Sequence, residues 1–382
     1  MIPAHSALED PALEDFGSGL TRRGLCRSVL ASLGIPVLLP LAGCGSLPAF
    51  EGSQRGAADG SAAALLLPLT GSAAALGKNM GRAASLVTQG LPAGAAPAVI
   101  DTGDTAAGAA AAAQQAIAGG AKLLLGPLRS DQTPAVLAVA GKVPVVTFSN
   151  DDSLGEQGAF VMGLTPAQSV STMFSYARAA GASRIALMAA DTALGTASAT
   201  AAARIAAAGG ISLVATLLRD PAQGGLMAAL RQASGGTLPD AVFLPDGGGT
   251  LKAFAAALRG SGVQILGSVQ WGVGDVTGNA DLAGAWFAAP PPDLYFPFSD
   301  RFQAAFGEEP GLVAALGHDA ALMAVGLGAE RATNRKGVTR KGGFTGVLGA
   351  FRFLPEGRCQ RDLSVLGLDG GGITLLGEVA GT

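Results

Sequence analysis

From residue 63 onward, short apolar runs alternate with longer Ala-rich stretches, and polar turns separate the two. The first run, Ala63–Leu67, stops at Pro68, passes through Thr70-Gly71-Ser72, and gives way to Leu76–Thr88, which has the length and composition of a helix. A strand covered on both faces reads as a continuous apolar run, because helices pack on each side of its sheet. The rhythm then repeats, with strands at Ala98–Asp101, Lys122–Leu125 and Val143–Phe148 and helices at Ala106–Ala118 and Asp131–Ala140. Strands alternating with helices in this way predict βαβ units, a parallel sheet and right-handed connections.

A strand at Phe160–Met162 precedes a strong helix start, Thr165-Pro166-Ala167-Gln168. Thr suits the N-cap, Pro the first helical position, and Gln completes a capping box, so a helix is expected to about Ala180. A second series follows: strands at Arg184–Met188, Ser212–Leu217, Ala241–Leu244 and Gln264–Leu266, and helices at Gly195–Ala208, Leu226–Ala233 and Thr250–Arg259. Trp286–Ala288, the break Pro290-Pro291-Pro292, and helices at Asp300–Phe306 and Leu312–Ala332 read as a return to the first series. The tail changes to short alternating strands at Gly349–Phe353, Asp362–Leu368 and Gly371–Leu376. The expected fold is α/β with two doubly wound, Rossmann-like lobes: residues 62–164 with about 288–343, and 165–287 with about 344–380.

Composition supports two packed lobes. A chain of 382 residues exceeds one ordinary core, and 49% hydrophobic against 14% charged residues excludes charge-driven disorder. The balance of 25 Lys+Arg and 28 Asp+Glu, with no basic stretch interleaved with aromatics, argues against nucleic acid as a partner.

The N-terminus reads as an export signal. Thr21-Arg22-Arg23-Gly24-Leu25-Cys26-Arg27 supplies positive charge, and Val29–Leu41, interrupted by Pro36 and Pro40, is a short apolar core that ends in Leu41-Ala42-Gly43-Cys44. Arg22-Arg23 also fits a twin-arginine signal, and the acidic Met1–Leu20 reads as an extension ahead of the true start. The ending resembles the lipobox of bacterial lipoproteins, which implies cleavage before Cys44 and lipidation of its sulfur; residues 1–44 would then be the signal and 45–61 a tether. Gly45, in place of the Asp that retains such proteins in the inner membrane, points to the outer membrane. Cys359 is then the only cysteine left in the mature domain, which excludes an internal disulfide.

Leu65-Leu66-Leu67-Pro68-Leu69-Thr70-Gly71, Asp101-Thr102-Gly103-Asp104-Thr105, Leu125-Gly126-Pro127-Leu128, Val143–Asp151 and Gly163-Leu164-Thr165-Pro166 follow one another in the order of a known fold. From Ala63 to Leu376 the chain resembles the type I periplasmic binding proteins of the leucine/isoleucine/valine-binding family, and within it the penicillin-binding protein activator branch. The resemblance implies two lobes, a three-crossing hinge and a cleft at the carboxyl ends of the strands, where the switch-point rule also places ligands. The implied partner is a peptidoglycan synthase for an activator, or an ABC permease for an importer of branched-chain amino acids or amides.

Strand ends nominate the cleft residues. Arg129 and Ser130 open a helix after Lys122–Leu125, where N–H donors, a hydroxyl and a guanidinium meet an anion, and Ser149 and Asn150 could share that contact. Thr70 and Ser72 form a rim turn. Amino-acid binders of the family hold the ligand's ammonium with a second-lobe carboxylate, but the matching loop is Ser268-Val269-Gln270-Trp271, so Asp191 or Asp246 would have to reach inward. Trp271 either lines the cleft or fills the base of a lobe. His318, beside Asp319 in an apolar helix, reads as structural. The one His and one Cys of the mature domain do not make the usual zinc set, no phosphate-binding P-loop or G-x-S-x-G occurs, and Gly247-Gly248-Gly249 reads as a loop opening a helix. The expectation is a binding protein with no cofactor, no metal and no reaction centre.

Overall fold

The computed structural model describes residues 60–381 apart from 93, 273–275, 370 and 371. The signal, Cys44 and nearly all of the tether lie outside the described residues.

The first lobe is a five-stranded parallel sheet of β1 (Ala64–Leu67), β2 (Ala98–Asp101), β3 (Leu124–Leu125), β4 (Val145–Thr147) and β5 (Phe160–Val161), in the order β2-β1-β3-β4-β5. Alternation along β1 divides its side chains. Ala64 and Leu66 meet the Ala-rich face of α2 (Ala106–Ala118) and Val136 of α3 (Thr133–Ala140), whereas Leu65 and Leu67 join the larger core with Met80 of α1 (Ala74–Thr88). The Asp131–Ala140 segment begins as a 3₁₀ turn, Ser130–Gln132, because Pro134 takes an early helical position where its missing N–H costs nothing.

Thr165 and Gln168 form the expected capping box at the start of α4 (Pro166–Ala179). The second sheet then takes β6 (Arg184–Ala189), β7 (Ser212–Leu218), β8 (Ala241–Leu244), β9 (Gln264–Gly267) and β10 (Trp286–Ala289) as parallel strands, with α5 (Ala193–Gly209), α6 (Leu226–Ala233) and α7 (Gly248–Leu258) between them. After the proline break, α8 (Pro292–Phe306) begins earlier than its apolar pattern suggests, since Pro is tolerated in a first helical turn. The next helix, α9 (Gly311–Ala329), is long and apolar enough to cross a bilayer, but 72% of that window is buried inside the protein. Gly317 lets it approach α1 closely: a Cβ there would strike the Met80 backbone.

Residues 344–361 differ from expectation. They form a small antiparallel sheet, β11 (Phe344–Gly346), β12 (Gly349–Phe353) and β13 (Cys359–Arg361), which packs on the first lobe rather than the second. Phe353 meets Phe160 edge-on at 5.6 Å, and the Val161 N–H donates to the Gly357 carbonyl at 2.8 Å. The chain rejoins the second sheet only with β14 (Leu363–Asp369) and β15 (Gly372–Val379), which extend it antiparallel beside β10. Alternating apolar and polar positions identify a half-covered sheet, but they carry no information about which lobe covers it.

Three crossings join the lobes: after β5, after β10, and between β13 and β14. At the third, Arg361 is fully buried; it donates to the Met162 carbonyl at the first crossing (3.2 Å), lies over the Phe351 ring, and sits 3.7 Å from Asp319 of α9. Asp319 accepts the Val347 and Leu348 N–H groups at 2.7 and 3.2 Å. His318 lies 3.3 Å from Asp319 and edge-on to Phe298, a core position. Burial pushes the thiol of Cys359 up to about 11, which leaves it a poor nucleophile.

Candidate ligand cleft

The carboxyl ends of β1, β2 and β3 bring Thr70, Ser72, Asp101, Asp104, Arg129 and Asp131 together at the first-lobe rim. Their polar atoms are engaged with one another. Asp101 Oδ1 accepts the Leu69, Gly103 and Thr70 N–H groups at 2.8, 2.9 and 3.2 Å, and its Oδ2 accepts the Thr70 hydroxyl at 2.7 Å. Burial pushes the Asp101 carboxyl up, but these donors outweigh it and hold the group below the ordinary carboxylate range. Asp104, at a left-handed φ of 53°, accepts the Ser72 hydroxyl at 2.6 Å and the Ala73 N–H at 3.0 Å on Oδ2. Its Oδ1 accepts from the Gln132 amide at 3.2 Å and lies 4.0 Å from Arg129 Nε.

Arg129 is therefore at the rim, but between carboxylates. Its Nε also donates to Asp131 Oδ1 at 3.3 Å, and the side chain is 23% exposed. Ser130 is half-buried at the start of the 3₁₀ turn. Ser149 is buried and its hydroxyl accepts the Asp151 N–H at 3.1 Å, which closes the loop on itself; Asn150 is half-buried beside it. The motif Asp101-Thr102-Gly103-Asp104 marked the fold in the sequence but was not read as part of the site, although its place at the end of β2 is the signal that could have found it.

In the second lobe the expected residues scatter. Asp191 is exposed, and its neighbour Thr192 caps α5 by accepting the Gly195 N–H at 3.2 Å. Asp246 is buried; burial raises its carboxyl above the ordinary range, against the opposing pull of the Ala190 N–H at 3.1 Å. Trp271 is in the core: its ring is fully buried and stacked 5.8 Å from Phe287, and its indole N–H donates to the Leu244 carbonyl at 3.1 Å. Gly267 makes the space, since a Cβ there would overlap the indole.

Sequence reading missed a small pocket beside the hinge, lined by Thr165, Ser169, Leu194, Ser198, Phe243 and Ser268 among others, with about 240 Å³ of empty space. That space includes open solvent, and the enclosed part, about 10 Å³, holds roughly one water molecule. Ser268 donates to the Pro245 carbonyl at 2.6 Å and Ser169 accepts the Val269 N–H at 3.3 Å, whereas the buried Ser198 hydroxyl has no hydrogen-bond partner among the described residues. Among the described residues, no group of three or more His, Cys, Asp or Glu side chains could hold a metal ion.

Two lobes of this topology, a three-crossing hinge and a cleft at the strand ends define a binding fold, and residues 62–372 match the periplasmic binding protein family. The chain belongs to that family. For this periplasmic binding protein, membership implies a periplasmic location. Solved structures with the same fold include a putative branched-chain amino acid ABC transporter protein from Rhodospirillum rubrum, 21% identical, at TM-score 0.70 over 83% of this chain and 100% of that one. A solute-binding protein from R. palustris in complex with benzoate is 19% identical, at TM-score 0.57 over 84% and 97%. The C-domain of LpoA from Haemophilus influenzae, a regulator of PBP1A, is 18% identical, at TM-score 0.65 over 82% and 99%. No curated protein matches the chain by sequence.

Proposed function

We propose that this periplasmic binding protein is a non-enzymatic, lipid-anchored regulator of a peptidoglycan synthase, held to the outer membrane through Cys44. The carrying observation is the first-lobe rim. There Arg129 lies between Asp104 and Asp131, and the Thr70 and Ser72 hydroxyls donate to Asp101 and Asp104. A free amino acid would have to displace these contacts and would find the second-lobe loop Ser268–Trp271 without a carboxylate for its ammonium. Two supports are independent of the cleft: the lipobox sequence Leu41-Ala42-Gly43-Cys44, and a fold shared with the LpoA C-domain over nearly its whole length.

Crosslinked pull-down from membranes is the direct test. Recovery of a penicillin-binding protein, and stimulation of its polymerase activity by the purified protein, is the expected outcome; recovery of an ABC permease in its place refutes the proposal.

The alternative is a substrate-binding lipoprotein of an ABC importer for branched-chain amino acids or amides, favoured by the unpaired Ser198 hydroxyl in the hinge-side pocket. A thermal-shift screen separates the two. A ligand at a hundred times its dissociation constant stabilises the fold by about 2.7 kcal/mol, so a clear shift with leucine or its amide would favour the importer.

A further inference from the structure

Charge is distributed over this chain in a way that neither the fold nor the cleft requires. Residues 331–361 contain eight Lys/Arg against one Asp/Glu, whereas the remainder of residues 60–381 contains thirteen against twenty-one. Arg361 is buried at the hinge, and the other seven basic residues reach solvent.

The fold gathers them onto one surface, made of α10 (Arg335–Val338), the turn that follows it, and the outer face of the small sheet. Arg335 donates to the Pro355 carbonyl at 2.6 Å, which ties α10 to the β12–β13 hairpin that carries Arg358. Arg340 lies 4.3 Å from the Phe344 ring centroid, and Gly343 in the same turn packs beside the Cβ of Arg352. Arg340 and Arg358 each have an acidic partner, Glu330 and Glu356. Arg331, Lys336 and Lys341 are exposed and form no ion pair among the described residues.

Its position is informative. The parallel register runs Leu65, Leu125, Val146, Phe160 across the first sheet, so Phe160 is level with the beginning of β1. Arg335 lies 4.8 Å from the Phe160 ring centroid, which puts the basic surface at the amino ends of the strands, away from the cleft. β1, the first strand after Cys44 along the chain, begins at this same end.

We propose that this basic surface docks on the anionic phospholipid headgroups of the membrane to which the chain is tethered. The orientation argument rests on the lipid anchor of the preceding section. Clustered cations near a membrane are drawn to its negative surface potential, within a Debye length, without needing a matched shape. A protein interface would be centred on buried aromatic or aliphatic anchors, and the exposed large hydrophobic residues of the described chain, Leu322, Leu375 and Leu376, all lie outside residues 331–361. Docked this way, the lobe turns its amino-end face to the bilayer and its cleft away from it.

The test uses the full chain carrying Cys44→Ala, so that no acyl chain contributes, and sedimentation with vesicles of phosphatidylcholine alone or mixed with phosphatidylglycerol. Binding to the neutral vesicles reports any contribution of the apolar N-terminal segment. The parent protein is expected to bind the anionic vesicles more tightly, and less so as salt rises. Replacing Arg331→Glu, Lys336→Glu and Lys341→Glu together should lower that extra binding by roughly a hundredfold. The milder Lys336→Gln with Lys341→Gln should give a smaller loss, and it serves if the triple variant fails to unfold cooperatively at the parent temperature. Equal binding to the two vesicle types, or unchanged binding of both variants, overturns the proposal. So does loss of crosslinks to an envelope protein in the triple variant without any vesicle effect, which would assign the surface to an acidic protein. Palmitate labelling of the wild-type chain tests the anchor by itself and leaves the vesicle result unaffected.

Discussion

Arg361 at the hinge and Arg129 at the cleft rim both sit beside aspartates, but in different surroundings. Arg361 and Asp319 are fully buried, joined by the Met162 carbonyl, the Phe351 face and two backbone N–H groups that Asp319 accepts. Arg129 is partly solvated and shared between Asp104 at 4.0 Å and Asp131 at 3.3 Å. Removing one member of a dry pair leaves a charge that water cannot reach, whereas water and salt replace most of what a solvated pair provides. The hinge pair should therefore govern stability, and the rim pair should govern only what the cleft admits.

The comparison breaks most visibly at the hinge. Arg361→Ala is expected to destabilise the protein by about 3–5 kcal/mol in urea unfolding, because Asp319 stays buried without its counter-charge. A loss under about 1 kcal/mol would show that water reaches this crossing. Next in size, Gly267→Ala should cost about 1–3 kcal/mol, since the added methyl meets the Trp271 ring inside a packed core. Tolerance of that methyl would mean that the indole can swing into the cleft.

Asp246 sharpens the same contrast, as a buried acid without a cation. Its carboxyl is raised in the folded state, so the folded protein holds the proton longer than the unfolded chain does. The stability this provides is complete below the unfolded value near 3.8 and is lost as pH rises through the folded value. Asp246→Asn keeps an acceptor for the Ala190 N–H, so it should raise the melting temperature at pH 7 and flatten the decline above pH 4. A lower melting temperature at pH 7 would point to a cation near this carboxylate.

The smallest effect belongs to the rim. Arg129→Gln should change stability by no more than about 0.5 kcal/mol, as for other surface changes. A ligand found by thermal shift whose affinity falls tenfold or more in this variant would restore Arg129 as an anion contact and weaken the regulator proposal.

The same division explains which features were readable in advance. The βαβ rhythm, the capping box at Thr165 and the two-lobe fold follow from local periodicity and turn chemistry, which short windows contain. The strand ends nominated Arg129, Thr70 and Ser72, and the structure brings those three to one rim. It sends Trp271 into the core, leaves Asp191 exposed, and adds Asp101 and Asp104, which sequence reading had used only as a fold motif. Ser198 was missed because its surroundings come from residues distant along the chain, whereas the basic run at 331–361 stands in the sequence and only its gathering onto one surface needed the fold.

The order of apolar runs and turns in this protein thus determines a periplasmic binding fold, because each strand and helix announces itself within its own residues. Whether a charged side chain faces a ligand, another charge or a dry core was decided only by the tertiary structure. Arg129 meets Asp104, Arg361 meets Asp319 and residues 344–361 meet the first lobe across separations that periodicity does not encode. The energy of a charge depends on what surrounds it, and only the packed chain supplies those surroundings.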